Sequence, residues 1–440
     1  MTQTTATATM TPAAAHAVPH LTTALTGPLL HLESHLLDHQ SEIEAWFREQ
    51  WRHTSAPFYT SVDLRNAGFK LAPVDTNLFP AGFNNLNPAF EALCIQAIQS
   101  AMERIYPTAK RVLLVPENHT RNLFYLESLA TLRELIARAG YEARIGSMLP
   151  DLAGPHQIEL PSGRKVLLEP LRREGDKVGV DDFFPCVVVL NNDLSGGRPA
   201  ILENLEQPVL PPLELGWSNR LKSGHFGHYR KVAEEFASIV EIDPWLIDPL
   251  FRNCGEIDFM KRDGEECLSR NVEAVLKAIE QKYEEYNIDK RPFVVIKSES
   301  GTYGMAVMTA HSVDEVRELN RKQRTHMSKS KEGQTVSRVI IQEGVYTFET
   351  WGEAEAVAEP VVYMIDHFVV GGFYRVHTGR GVNENLNAPG MHFEPLAFAE
   401  PCNMPDCTEF PDSGVNRFYA YGVIARLALL AAARESAEHS

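Results

Sequence analysis

Two hydrophobic periods alternate along the first half of the chain. Apolar positions recur at helical spacing in residues 28–55, in PAFEALCIQAIQSAMERIY and in NLFYLESLATLRELIARAGY, where Gly140 closes the predicted helix. The continuous apolar runs RVLLVPE and EARIGSM follow the second and third of these helices and are typical of buried strands. Strand–helix–strand alternation of this kind predicts an α/β fold with a parallel sheet. FKLAPVDTNLFPAGFNNLNP (69–88) predicts a strand that runs into an irregular loop.

The second half of the chain combines amphipathic helices with apolar strands. GHFGHYRKVAEEFASIVE and LSRNVEAVLKAIEQKYEEYN predict helices, and a further helix is predicted from Val313 to Lys329. VVIKSESGTYGMAV, SRVIIQEGV and EPVVYMIDHFVVGGFYRVH predict strands, and the apolar segment RFYAYGVIARLALLAAARES predicts a buried C-terminal helix. We divide the chain into a flexible segment at 1–27, an α/β region at 28–215 and a second region at 216–440.

Composition narrows the classes of function. The 440 residues carry a formal net charge of −16, which argues against a nucleic-acid binder because phosphate backbones are held by clustered Lys and Arg. The sequence contains no run of eighteen apolar residues, so we expect no membrane span. Six scattered cysteines indicate a reduced, cytoplasmic protein. Cys402 and Cys407 are five positions apart, but without a second ligand pair we interpret them as thiols in a Pro-rich loop rather than a metal knuckle.

The stretch VVIKSESGTYGMAV (294–307) is the first candidate for chemistry. It matches neither the P-loop nor the G-x-G-x-x-G pattern, since Lys297 precedes the glycines. A lysine at a strand end beside a Gly-containing loop can reach nucleotide phosphates while backbone N–H groups cover them. Taken alone, the stretch favours an ordinary hairpin with a surface lysine.

Three later segments favour the phosphate-binding interpretation over the hairpin. RVIIQEGV becomes polar at Gln342 and Glu343, where a strand end can offer backbone groups to an adenine edge. GGFYRVH carries Arg375 near its end, and TGRGVNENLNAPG then places amides and a carboxylate behind this arginine. Such a set can bind an anion together with Mg²⁺. Each piece alone is common in loops, and only their order along the chain is specific.

That order resembles the ATP-grasp superfamily, in which a lysine strand with a Gly-rich flap, a hinge strand and a basic strand enclose ATP between two sheets. The usual metal motif after the third piece is missing. In this respect the chain is similar to the circularly permuted eukaryotic-type glutathione synthetase, whose metal motif lies in the N-terminal half. Here Asp75-Thr76-Asn77 takes that place, with an Asx-turn as the alternative. Glu299 in the flap matches a third metal carboxylate.

The phrases LPPLELGWSNRLKSGHFGHYRKV, IKSESGTYGM and VNENLNAPGMHFEPL resemble the ATP-grasp type of glutamate–cysteine ligase found in some proteobacteria. The resemblance covers most of residues 30–435. It implies ATP-dependent ligation of the γ-carboxyl of glutamate to the amine of cysteine, through an acyl phosphate. Three alternatives remain. They are a glutathione synthetase, a carboxylate–amine ligase with a different substrate pair, and a nucleotide-binding regulatory protein with a degenerate grasp. Homo-oligomerisation is possible.

The resemblance also implies a set of site residues. Region 28–215 would bind substrates and metal, and region 216–440 would form the ATP-grasp unit. Lys297 and Arg375 would act on the reacting phosphate. The metal residues implied are Asp75, Asn77 and Glu299, and the nucleotide contacts implied are Lys231 (with Lys222 as second choice), Lys297, Gly301, Tyr303, Gly304, Gln342, Glu343, Val345 and Asn385.

Polar clusters at predicted strand ends are hypothetical substrate contacts. His225 and His228 form a weak zinc pattern, because no third ligand is evident, and turn or helix-capping roles are favoured. The hypothetical substrate contacts are Phe79 to Asn85, Glu117, Asn118, Arg121, Asn191 to Asp193, Asn385 and Asn387.

Overall fold

A computed structural model describes residues 30–301, 306–329, 335–396 and 418–438 of the chain. The predicted flexible segment 1–27, Tyr303, Gly304, Cys402 and Cys407 lie outside these residues. The helices are α1 (His31–Asp38), α2 (Gln40–His53), α3 (Glu91–Ile105), α4 (Leu123–Arg138), α5 (Lys222–Ile239), α6 (Glu265–Glu285), α7 (Val313–Arg317), α8 (Arg321–Met327) and α9 (Tyr419–Ala437).

The strands fall into three main sheets and one short hairpin. They are β1 (Tyr59–Asn66), β2 (Leu71–Asn77), β3 (Arg111–Pro116), β4 (Glu142–Ser147), β5 (His156–Glu159), β6 (Lys165–Pro170), β7 (Arg172–Glu174), β8 (Lys177–Gly179), β9 (Val187–Asn191), β10 (Val209–Leu210), β11 (Phe251–Cys254), β12 (Val294–Ser298), β13 (Val307–Ala310), β14 (Val339–Glu343), β15 (Thr350–Trp351), β16 (Ala356–Ile365), β17 (Phe368–His377) and β18 (His392–Pro395).

The parallel layer predicted from the first half is confirmed. We call the sheet with order β10-β9-β3-β4-β6-β5 the parallel sheet, because its strands from β10 to β6 pair in parallel. β5 pairs antiparallel at its edge. α3 and α4 pack their apolar residues against β3 and β9, as expected for helices that cover a parallel sheet.

Two antiparallel sheets complete the fold. The floor sheet has the order β18-β17-β16-β1-β2, with β15 paired to β16, and the lysine sheet has the order β11-β14-β12-β13. β1 pairs with β16, so the floor sheet combines strands from both sides of residue 215. The division of the chain at that residue stays a prediction.

The C-terminal helix α9 is buried, as predicted from its composition. Apolar residues of α9 form one core with α5 and the floor sheet. Arg426, a charged residue within this helix, is 4% exposed, and its guanidinium donates to both carboxylate oxygens of Glu44 at 2.6 and 2.8 Å. Among the described helices, none combines the length and apolar character needed to cross a membrane.

Two predicted helices are each interrupted. The helix predicted over residues 28–55 breaks at His39, which separates α1 from α2. The helix predicted from Val313 to Lys329 is two short helices, α7 and α8. Asn320 caps α8, because its side chain accepts a hydrogen bond from the N–H of Gln323 while the Gln323 side chain accepts from the N–H of Asn320. A capping box inside an amphipathic pattern therefore starts a new helix.

Asp248 is a buried carboxylate that weakens the fold at neutral pH. Burial raises the pKa of Asp248 to about 6, although Arg230 and Lys70 oppose the shift. Oδ2 is 3.2 Å from the Arg230 Nε, while Oδ1 is buried without a hydrogen-bond partner among the described residues. The folded-state pKa lies above the value near 3.9 of an unfolded chain. Ionisation of Asp248 therefore lowers the free energy of unfolding of the protein as pH rises from about 4 to about 6.

We therefore expect Asp248→Asn to stabilise the protein at pH 8 by up to about 3 kcal/mol, and to have little effect at pH 4, where the native carboxyl is neutral. Thermal unfolding at the two pH values measures the difference. Asp182→Asn, at an aspartate whose side chain is 87% exposed, is the matched control and should change neither midpoint. Equal midpoints for Asp248→Asn and the wild type at both pH values would contradict the assignment.

Candidate active site

A cavity of about 350 Å³ lies between the floor sheet, the lysine sheet and the carboxyl ends of parallel strands β3 and β9. Side chains of the floor and lysine sheets line it, together with Glu117 and Asp193, which follow β3 and β9. Ligands of open α/β sheets bind at such carboxyl ends of parallel strands. The lining includes Ser61, Asp63, Arg65, Asp75, Asn77, Phe79, Asn84, Asn85, Glu117, Asp193, Lys297, Gln342, Glu343, Val345, Glu359, Tyr363, Phe373, Arg375, Glu384, Asn385, Asn387 and Phe393.

Most of the sequence-predicted residues meet in this cavity. Asp75, Asn77, Lys297, Arg375 and Asn385 line it, together with Gln342 and Glu343 at the end of β14 and Val345 just after it. Of the hypothetical substrate contacts, Phe79, Asn84, Asn85, Glu117, Asp193 and Asn387 also line it. Within the described part of the chain, the lining does not include Asn118, Arg121, Asn191, Asn192, Lys231, Glu299 or Gly301.

Lys297 is a buried ammonium at the end of β12. It is 8% exposed, and its Nζ donates to the Val74 carbonyl at 2.5 Å and lies 5.6 Å from the centre of the Phe226 ring. Burial lowers the pKa of Lys297 to about 8, against the attraction of Asp75. A lysine held in this way is preorganised to face an anion in the cavity.

Asp75 lies between cations. Burial alone would raise the pKa of Asp75, but the charges of Lys222, Lys297 and Arg220 outweigh it and lower the pKa. The Lys222 Nζ is 3.6 Å from the Asp75 Oδ1, donates to the Gly301 carbonyl at 2.8 Å and lies 3.7 Å from the centre of the Trp217 ring. Asp75 is therefore an ionised carboxylate on the cavity wall.

The structure brings Lys222, the second choice, to this site and does not bring Lys231. α5 begins at Lys222, which is 5% exposed. Lys231 lies nine residues later, about two and a half turns along and on the opposite face of the helix, where it is exposed. Lys222 lies beside Asp75 because α5 begins at this residue, and the sequence pattern did not indicate where the helix begins.

Asn77 lines the cavity and also forms the predicted alternative, an Asx-turn. Its Oδ1 accepts a hydrogen bond from the N–H of Phe79 at 2.9 Å. Asn385 does the same for the N–H of Asn387 at 3.0 Å. Both amides therefore shape loops of the cavity wall.

Glu299 has a local structural contact. It is 3% exposed, its Oε2 accepts from the N–H of Ser223 at 2.9 Å, and its carbonyl accepts from the N–H of Lys222 at 2.9 Å. The carboxylate thus caps the first turn of α5, where an acidic side chain is favoured. Within residues 30–301, 306–329, 335–396 and 418–438, no group of three His, Cys, Asp or Glu is placed to hold a metal ion.

The two histidines of the weak zinc pattern have carboxylate partners. His225 Nδ1 is 3.1 Å from Glu435 and His228 Nε2 is 3.4 Å from Glu438. Glu435 also accepts two hydrogen bonds from Arg220, at 2.9 Å each. These contacts tie α5 to the C-terminal helix α9.

The side chain of Glu343 is enclosed in a polar cluster beside the cavity. Its Oε2 accepts from the Lys70 Nζ at 2.8 Å and from the N–H of Leu250 at 2.9 Å, and Trp245 Nε1 is 3.1 Å from Oε1. The neighbouring Gln342 is 2% exposed, and its Nε2 is buried without a hydrogen-bond partner among the described residues. Gln342 thus presents an unused donor in the cavity wall, whereas the carboxylate of Glu343 has partners already.

Arg375 belongs to a buried charge network that the sequence analysis missed. Its Nη1 donates to the Glu359 Oε1 at 2.6 Å and to the Asp63 Oδ2 at 2.9 Å, and Arg65 Nε donates to the Glu359 Oε2 at 2.9 Å. Burial alone would raise the pKa of Glu359, but Arg65 and Arg375 together lower it. Burial dominates at Asp63 and raises its pKa despite Arg375.

One signal for this network was present in the sequence. In YTSVDLRN, Ser61, Asp63 and Arg65 recur with period two, which puts them on one face of a strand. Three polar residues on one face of a buried strand indicate a polar cavity. Glu359, which lies in an apolar run, gave no comparable signal.

Comparisons with known proteins agree with the predicted family. The family model described as "Glutamate-cysteine ligase" matches residues 33–436. A crystal structure of a "Putative gamma-glutamylcysteine synthetase" from Methylobacillus flagellatus KT is 60% identical, with a TM-score of 0.87, and the match covers 96% of this chain and 99% of that one.

A second solved structure is a glutathione synthetase-like effector from Globodera pallida. It is 9% identical with a TM-score of 0.37, and the match covers 83% of this chain and 79% of that one, a similarity too low to carry an argument. A search of curated proteins found no match.

Proposed function

Because this chain belongs to the glutamate–cysteine ligase family, we propose that its cavity binds ATP, glutamate and cysteine and joins the two amino acids through the γ-carboxyl of glutamate. One observation carries the assignment of this cavity. Lys297 from the lysine sheet and Arg375 from the floor sheet line it together with the ionised Asp75. Cations from two sheets around one carboxylate suit a polyphosphate and its metal ion.

The lysine sheet is the proposed nucleotide side. Lys297 would hold ATP phosphates, with Lys222 beside Asp75 as the second cation. The buried Nε2 of Gln342 and the backbone near Val345 would meet the adenine end, since both line the cavity on this side. Two antiparallel sheets around a nucleotide correspond to the ATP-grasp arrangement, with the Asp75 strand ahead of the lysine strand as in the permuted order.

Asp75 fits a Mg²⁺ site. Its carboxylate is ionised and lines the cavity, and Mg²⁺ in nucleotide sites usually takes one or two protein carboxylates plus phosphate oxygens and water. Asn77 is the supporting amide, and Glu299, which does not line the cavity, is the second candidate carboxylate. Bound Mg²⁺ would neutralise phosphate charge during transfer.

The reaction is an activation followed by a substitution. The γ-carboxylate oxygen of glutamate attacks the γ-phosphorus of ATP, and the bond to the leaving ADP oxygen breaks. The amine nitrogen of cysteine then attacks the acyl phosphate carbon, phosphate leaves and the amine loses a proton. Arg375 and Lys297 would stabilise charge on the transferred phosphoryl group, so the protein contributes positioning and electrostatics.

The cavity wall at the carboxyl ends of β3 and β9 is the proposed amino-acid side, with Glu117 and Asp193 as its carboxylates. The proposed amide contacts are Asn84, Asn85 and Asn387, which also line the cavity. Tyr125 ties the two strand ends on this side, because its hydroxyl donates to the Asn191 carbonyl at 2.6 Å and accepts from the N–H of Glu117 at 3.0 Å.

ADP release from purified protein tests the assignment. We expect turnover that requires ATP, Mg²⁺, glutamate and cysteine together, with γ-glutamylcysteine as the product. Glycine with γ-glutamylcysteine should not replace this pair. Turnover with that second pair alone would move the assignment to a glutathione synthetase, and nucleotide binding without turnover with any pair would indicate a regulatory protein.

A further inference from the structure

Arg65 contacts three separate elements of the cavity wall. It is 6% exposed and lies on β1 in the floor sheet. Its Nε donates to Glu359 at 2.9 Å, its Nη1 donates to the Val345 carbonyl at 3.2 Å, and its Nη2 donates to the Glu384 carbonyl. One guanidinium thus reaches β16, the segment after β14 and the loop that carries Asn385.

These contacts connect two sheets. Val345 follows β14, the strand that pairs with the Lys297 strand β12. Glu359 belongs to the floor sheet and also accepts a hydrogen bond from Arg375 at 2.6 Å. The Arg65 guanidinium is therefore linked to the nucleotide side through a backbone carbonyl and to Arg375 through one shared carboxylate.

A fork of donors is needed for this geometry. Arginine presents five N–H donors in a fixed plane, and lysine presents a single ammonium. Glu359 accepts on both oxygens, one from each arginine, and its side chain is 4% exposed. A low-dielectric surrounding strengthens the hydrogen bonds of such a network. The Arg375 Nε is buried without a hydrogen-bond partner among the described residues, so Arg375 is held by the bonds from its Nη1 to Glu359 and Asp63.

We propose that Arg65 is a positioning residue that fixes the distance between the nucleotide side and Arg375, with Glu359 as the connecting group. The proposal rests on the proposed function. Arg65 acts through other residues, because its guanidinium donates to Glu359 and to the carbonyls of Val345 and Glu384. The chemistry it serves is transfer of the phosphoryl group held between Lys297 and Arg375.

Arg65→Gln and Arg65→Lys test the proposal in the full chain. We expect kcat for ADP release to fall roughly tenfold to a hundredfold, because displacing reacting groups by about 1 Å costs a factor of this size. The dissociation constant for ADP should change less than about threefold, since Lys297 and Gln342 remain. Trapping of the acyl phosphate with hydroxylamine, which yields the hydroxamate, should fall in parallel with kcat.

A double-mutant cycle with Glu359→Gln tests the route to Arg375. If Arg65 acts through Glu359, the double variant should lose no more kcat than about the worse single variant, because contacting residues in one network are not additive. Arg426→Gln is the matched control. Arg426 lies on helix α9, is similarly buried and is paired with Glu44 of α2. The control variant should lower the unfolding temperature and leave kcat unchanged.

Three results would overturn the proposal. Full kcat in folded Arg65→Gln would make the residue merely structural. A large rise in the ADP dissociation constant would make Arg65 a nucleotide ligand. Independent, multiplicative losses in the double variant would remove the connection through Glu359. If the wild type shows no ATP turnover with glutamate and cysteine, the proposed function is wrong instead.

Discussion

Replacement of Lys297 by methionine is expected to reduce ATP turnover by roughly a hundredfold to a thousandfold, the usual cost of losing one preorganised charge-stabilising group. Methionine keeps most of the side-chain volume and removes the ammonium. Because burial lowers the pKa of Lys297, the folded protein already holds this charge at a cost, so the variant should stay folded. Initial rates of ADP release, with thermal unfolding alongside, measure both outcomes.

Two further lysines make the experiment specific. Lys231→Met changes an exposed residue outside the cavity lining and should retain near wild-type turnover. Lys222→Met removes the cation 3.6 Å from Asp75 and should raise the KM for ATP. Substantial activity in Lys297→Met, or a large loss in Lys231→Met, would contradict our assignment of the phosphate site.

Replacement of Glu343 by alanine is expected to destabilise the protein by about 3–5 kcal/mol, the usual cost of breaking a buried ion pair. Glu343 and Lys70 are each 1% exposed at their side chains and are 2.8 Å apart. The variant would leave the Lys70 ammonium buried, with the Trp245 ring 4.3 Å away. Thermal unfolding and the soluble yield report the loss.

The double variant Lys70→Met, Glu343→Met separates stability from nucleotide binding. Replacing a buried ion pair by apolar residues of similar volume is often neutral, so most of the lost stability should return. The KM for ATP should then be close to that of the wild type, because the Glu343 carboxylate is already bonded to Lys70, Trp245 and the N–H of Leu250. A stable double variant that binds ATP poorly would support a direct role for the Glu343 side chain at the adenine end.

Local patterns in the sequence were enough to predict many of the residues that line the candidate cavity. Periodicity predicted the parallel sheet, because buried parallel strands and their covering helices have distinct hydrophobic spacing. The order of motifs predicted that Lys297, Arg375 and Asp75 meet, and they line one cavity. What these predictions share is that each depends on short segments whose residue types are unusual for their position.

Other parts depend on contacts between distant segments. Arg65 and Glu359 are 294 positions apart, and only the pairing of β1 with β16 brings them together. Glu299 and Glu343 are carboxylates in the predicted places, but a helix N-terminus and a buried lysine are their partners. A single sequence does not reveal which partner a carboxylate finds, since capping, ion pairing and metal binding use the same residue type.

The pairing of β1 with β16 also sets the order of events during synthesis. The strands from β3 to β9 emerge early and have their neighbours nearby in sequence, so the parallel sheet can assemble while the chain is still being made. β1 has left the ribosome long before residues 356–365 exist, and its edge toward them stays open until then. The floor of the cavity is therefore completed late, and a nascent chain gains its full charge network only after most of its length has been translated.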